Sequence, residues 1–178
     1  MSNGNLSDLS PKERDLVEND FFEMMRKLAS NNDLDFYKTP KKPDGDQEIR
    51  EPKGNIFLKR HKWNCCYIYF VIDKGVRQYG CGYWGHWERG AENWAKEIDN
   101  NFSIAKKEHE REGVRKNVDR RNGGLWIFKL MDIYETWNKE FFKDLRDFVE
   151  GKGNKIERIF EAKIKEMLDI VEKFEDKL

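Results

Sequence analysis

The longest apolar run in the chain, Trp63 to Ile72 (WNCCYIYFVI), alternates in two interleaved sets. Trp63, Cys65, Tyr67, Tyr69 and Val71 fall on one side of an extended chain, and Asn64, Cys66, Ile68, Phe70 and Ile72 on the other. Both sets are largely apolar. The pattern therefore predicts a central strand covered on both faces, with Tyr67, Ile68, Phe70 and Ile72 buried. Asp73-Lys74-Gly75 supplies a turn, and Val76 to Trp84 reads as the second arm of a hairpin. Glycine weakens a strand and marks bulges, so Gly80 and Gly82 predict a bend in that arm or a place near an edge. Gly54 to His61 reads as a preceding strand, and the three together as an antiparallel meander.

The flanks change period. Ser10-Pro11-Lys12-Glu13 is a helix start, with a capping serine, a proline at the first turn and a glutamate three residues on. Val17, Phe21, Met24, Met25 and Leu28 then recur at helical spacing, and the helix is expected to end near Asn31-Asn32. The stretch from Asn31 to Lys53 holds three of the four prolines and reads as a loop, with a short extended piece at Leu34 to Tyr37. After Trp87 the reading is helical: a short helix over Glu92 to Ile98 and a charged one over Phe102 to Val118, broken near Gly113. Leu125 to Met131 (LWIFKLM) fits strand and helix equally. Trp137, Phe141, Leu145 and Phe148 mark one amphipathic helix. Ile156, Phe160, Ile164, Met167, Val171 and Phe174 mark another, started by Asn154 and Glu157. Joined by GKGN, the two predict an antiparallel helical hairpin.

The expected fold is α+β: an antiparallel sheet of three or four strands packed by an N-terminal helix and the C-terminal hairpin. A flexible leader (1–9) would precede a single domain (10–178), made of a helix-plus-sheet body (10–135) and the hairpin (136–178).

Charge alters this picture only locally. Lys and Arg number 34, and so do Asp and Glu. Residues 51–125 carry 15 basic against 10 acidic side chains, while both flanks are slightly acidic, a hint of anion binding set against an ordinary solvated surface. Three cysteines and an N-terminus without an apolar segment predict a reduced, cytoplasmic protein. No run approaches the roughly 18 apolar residues of a membrane span, so no membrane is expected as a partner.

Most chemistries find no support in the spacing. Cys65 and Cys66 leave opposite faces of a strand, and neither CxxC nor HxxxH occurs, so no metal and no cofactor is expected. A Cys81–His86 pair lacks any local nucleophile signature. Pro43-Asp44 followed by Glu51-Pro52-Lys53 spells the PD…ExK pattern, in which Asp and Glu hold a divalent cation and Lys orients water. Here a proline interrupts the strand such a site rides on, and the surroundings are polar, so a metal-dependent nuclease ranks third among the readings. Phosphate-cradling glycine loops are absent.

Two stretches are candidates for binding. Tyr79, Tyr83, Trp84 and Trp87 interleave with glycines, and large rings on a bent strand suit a protein interface or stacking on bases; packing beneath helices is the alternative. Lys107, Arg111 and Arg115 would share one face of a helix and could touch phosphate, though Glu108, Glu110, Glu112 and Asp119 dilute the charge.

The order of a helix carrying Asn19-Asp20-Phe21-Phe22, a Lys/Pro-rich loop, Asn55-Ile56, YIYFVID and YGCGYWG resembles the C-terminal accessory region of some bacterial PD-(D/E)XK nuclease-like proteins. The resemblance spans Leu16 to Trp87 and includes none of that family's catalytic positions. It implies an accessory or recognition module without its nuclease half. The expected function is that of a small non-enzymatic binding protein whose partner is another protein, of the kind phages and mobile elements use to inhibit host machinery. The alternative is a nucleic-acid-binding accessory module.

Overall fold

The computed structural model describes residues 8–38, 55–63, 66–72, 75–84, 115–119 and 124–172. Within them a six-stranded antiparallel sheet is flanked by helices from both ends of the chain. The strands are β1 (Asp35–Tyr37), β2 (Ile56–Lys59), β3 (Cys66–Ile72), β4 (Val76–Trp84), β5 (Arg115–Asp119) and β6 (Gly124–Leu130). They lie in the order β1-β2-β3-β4-β6-β5. The α+β class and the meander hold, but the strand count of three or four is corrected to six.

Two of the additions have separate causes. Residues Arg115 to Asp119 carry a single apolar side chain, Val118, and were expected to end a charged helix. They form a strand because β6 offers a ladder partner, with Arg115 opposite Phe128 and Val118 opposite Leu125. Residues Gly124 to Leu130 are strand because they pair with β4 along its whole length, from Trp84 opposite Gly124 to Gln78 opposite Leu130. Pairing with β4 settles what an unbroken apolar run leaves open.

β3 is central and closed on both sides, as its two apolar sets require. Cys66, Ile68, Phe70 and Ile72 enter the large core beneath the helices. Tyr67 and Tyr69 form a second, smaller cluster with Phe57, and all three are at most 3% exposed. β4 is central too, with β3 on one side and β6 on the other. Gly80 and Gly82 sit in unbroken register opposite Tyr69 and Tyr67 of β3 and opposite Phe128 and Trp126 of β6. The expected place near an edge is thus corrected, and the register shifts not at the glycines but at the turn end, between Val71 and Ile72. Glycine at both positions places no side chain beside the buried Tyr69 and Tyr67 of β3.

The N-terminal helical run consists of α1 (Pro11–Asp15), a π-helical segment (Leu16–Phe21) and α2 (Phe22–Asn31). Its start is the expected capping box: Ser10 Oγ accepts from the Glu13 amide at 3.4 Å, and the Ser10 amide donates to Glu13 Oε2 at 3.1 Å. The adjacent Phe21 and Phe22 are both buried, and Phe21 meets Phe141 and Phe160 edge-on at 5.5 and 5.1 Å between ring centroids. At the other end, α3 (Lys139–Val149) and α4 (Lys155–Glu172) form the hairpin. Of the stripe read from the sequence, Ile156, Phe160, Ile164, Met167 and Val171 are all buried, and Phe174 lies outside the described residues. Among the described residues no helix is long and apolar enough to cross a membrane.

A buried polar cluster ties the hairpin together. Asp144, 6% exposed, accepts hydrogen bonds from the Tyr134 hydroxyl and from Lys155 Nζ at 2.8 Å, and Lys155 also reaches Glu140 at 2.7 Å. Burial pushes the Asp144 carboxyl up, but the bonds from Lys155 and Tyr134 outweigh it and hold the group below the ordinary carboxylate value. A carboxyl lowered in the folded state adds stability above its unfolded pKa, and that contribution disappears as pH falls through the folded value. Asp144→Asn should therefore melt below the parent at neutral pH, by about 1–3 kcal/mol. The gap should close below about pH 4. Thermal melts of both proteins from pH 7 to pH 2.5 check this; a gap that stays constant would mean the carboxylate charge contributes nothing.

Candidate interaction groove

The residues singled out for partner binding meet different fates. Tyr79 is 1% exposed, stacks on Phe70 at 6.1 Å, and its hydroxyl donates to Glu166 Oε2 at 2.6 Å. Lys129 donates to the other oxygen of the same carboxylate. A ring so enclosed offers nothing to a partner, so Tyr79 is corrected from contact residue to core residue with a satisfied polar end. Tyr83 pairs with Cys66 and Leu125, and Trp84 with Gly124, at the far end of β4. Their side chains lie outside the description, and Trp87 lies outside the described residues altogether. Arg115 opens β5, so it shares no helical face with Lys107 and Arg111, which also lie outside the described residues. The same holds for Asp44, Glu51, Lys53 and His86.

Cys81 is fully buried, and its thiol is pushed well up by burial and by the neighbouring Glu166 carboxylate. The thiolate, the reactive form, is suppressed. Iodoacetamide should leave Cys66 and Cys81 unlabelled in the native protein and label both in urea, as read by peptide mass mapping; native labelling of Cys81 would show its strand opening. Among the described residues no group of three His, Cys, Asp or Glu side chains is placed to hold a metal ion.

The structure does present an open groove of about 770 Å³ where the N-terminal run meets α3. Its apolar lining is Leu9, Trp137 and Phe142. Asn138 caps α3, its Oδ1 accepting from the Phe141 amide at 2.8 Å. Trp137 stands just before that cap and Phe142 four residues after it, with ring centroids 6.3 Å apart. This is a hydrophobic staple, which fixes how the chain enters the helix. It holds Trp137 half-buried against Phe141, at 5.0 Å, with the remainder of the indole facing the groove.

The rim carries both signs. Lys139, Lys143 and Arg146 line it from successive turns of α3, and Glu13, Asp147 and Glu150 line it with them. Sequence reasoning placed Trp137 on the apolar stripe of the last helices and missed the groove. The available signal was the Trp-Asn pair four to five residues ahead of Phe142, which is the staple pattern itself.

No protein-family model, no curated protein and no solved structure matches the chain. The likeness to nuclease accessory regions rests on its quoted residues alone.

Proposed function

We propose that this protein is a non-catalytic binding module that acts through contacts with another protein, and that the groove over Trp137 is a contact site. The observation that carries the reading is a half-buried tryptophan in the lining of an open groove with a mixed-charge rim. Tryptophan anchored in a pocket and surrounded by polar side chains is the arrangement that concentrates binding energy at protein interfaces. Tyr83, Trp84 and Trp87 are proposed as further contacts of the same kind.

The test is affinity capture from the native host with the parent chain, Trp137→Ala and Leu9→Ser, followed by titration of the captured protein. Truncating the indole should weaken binding by on the order of 2 kcal/mol, about thirtyfold, with circular dichroism unchanged. Leu9→Ser should weaken it less, in the same direction. A partner retained equally by all three chains would refute the groove. Captured nucleic acid whose affinity falls steeply with salt would favour the accessory nucleic-acid reading instead.

A further inference from the structure

The charges around the groove are not equivalent. Each lining carboxylate already has a donor. Glu13 Oε2 accepts from the Ser10 amide and from Ser10 Oγ, at 3.1 and 2.6 Å. Asp147 is paired with Lys143 at 2.9 Å, and Glu150 with Lys152. That leaves Lys139 and Arg146, both exposed, whose side chains form no ion pair or hydrogen bond among the described residues. The two lining charges whose side chains have no partner are therefore both cations.

Their spacing adds a shape. Lys139 and Arg146 are seven positions apart on α3, two helical turns, or about 10 Å along the axis. Phe142 lies between them along the helix, and Trp137, packed on Phe142, lines the groove with it. A second helix laid along α3 repeats with nearly the same seven-residue period. It can set carboxylates seven residues apart against the two cations and lower the apolar side chains between them onto the apolar lining.

We infer that the groove takes an acidic amphipathic helix, with two Asp or Glu residues seven positions apart flanking large apolar side chains that rest on Trp137 and Phe142. The inference rests on the reading of the groove as a protein-contact site, and adds the chemistry of the segment that fills it. The paired carboxylates supply the selectivity, since a neutral or basic helix of the same apolar content leaves Lys139 and Arg146 unmatched.

The experiment is selection of displayed random peptides of about twelve residues against the full chain, with winners titrated by fluorescence anisotropy. The expected winners carry acidic residues about seven apart around Leu, Ile, Phe or Trp. They should lose about tenfold or more in affinity on the double variant Lys139→Glu, Arg146→Glu, whose exposed positions leave the core untouched. Replacing the carboxylates of the peptide by lysines should then restore binding to that double variant. Winners with no acidic excess, or indifferent to the charge reversal, yet lost on Trp137→Ala and Leu9→Ser, would overturn the inference and leave the groove standing. Winners that bind Trp137→Ala and Leu9→Ser as tightly as the parent would overturn the groove reading itself, and a selection that enriches nothing would overturn both. Displacement of a winning peptide by a single-stranded oligonucleotide would assign the two cations to phosphate and defeat the inference.

Discussion

Replacing Phe70 by alanine is expected to lower stability by about 3–5 kcal/mol, the range for truncating a large aromatic in a closed core. Phe70 has no exposed surface and sits at the middle of β3, opposite Ile56 on β2 and Tyr79 on β4. Its ring stacks on Tyr79 at 6.1 Å and meets Phe160 of α4 at 5.6 Å. One side chain thus contacts both the sheet and the helix above it. Phe160 in turn touches Phe21 and Tyr134, so a shift of Phe160 into the void would disturb its contacts with the N-terminal run and with the segment after β6. Relaxation into the void would have to move two layers at once, which keeps the cost near the upper end. For a chain of this length the midpoint of thermal unfolding should fall by about 10 °C or more. Phe70→Leu, which keeps most of the volume, should cost about 1.5 kcal/mol or less. A midpoint unchanged in Phe70→Ala would show that β3 is not the centre of the fold.

That centre was readable because β3 is apolar on both of its alternating sets, a condition only a doubly covered strand satisfies. The capping box at Ser10 and Glu13 and the apolar stripe of α4 were readable for a similar reason: each is a local pattern with one structural use. What stayed hidden depends on which segments meet, not on the pattern within one stretch. Nothing in RKNVD prefers a strand; its ladder with β6 makes it one. Gly80 and Gly82 look like strand breakers until Tyr67, Tyr69, Phe128 and Trp126 are found in register beside them. Tyr79 looked available for binding because the acceptor of its hydroxyl, Glu166, lies 87 positions away. The groove is of the same kind. Leu9 and Trp137 become neighbours only when α3 packs against the π-helical segment, and periodicity along either stretch is silent on that meeting.

Gly75→Ala is expected to destabilise the protein by about 2–5 kcal/mol, combining a backbone conformation that side chains rarely adopt with overpacking. Gly75 was visible as the glycine of the β3–β4 turn, but its stronger constraint is the segment that follows β6. Its φ is +154°, and a methyl group built on it would stand 2.5 Å from Thr136 Cα, 2.7 Å from the Glu135 carbonyl oxygen and 2.8 Å from the Thr136 carbonyl carbon. All three are backbone atoms, so no rotamer change relieves the clash. Either the turn or the segment from Met131 to Trp137 must move. That segment is bound to the hairpin by two hydrogen bonds: the Val76 amide donates to the Tyr134 carbonyl at 3.0 Å, and the Met131 amide to the Arg77 carbonyl at 2.9 Å. Displacing it would also draw Tyr134 away from Asp144 and from its stacked partner Phe160. Two other glycines calibrate the effect. Gly151, with φ +67° and no atom within 4 Å of a built methyl group, should cost about 1 kcal/mol as alanine, from conformation alone. Gly153, whose nearest neighbour would be Asp147 Cβ at 3.8 Å, should change stability by about 0.5 kcal/mol or less. Urea unfolding of the three variants measures the order. Hydrogen exchange at the Val76 and Met131 amides shows whether the loss in Gly75→Ala begins at the two bonds named. If Gly75→Ala unfolds at the same urea concentration as Gly153→Ala, the close approach of the turn to residues 135 and 136 is not a feature of the folded protein.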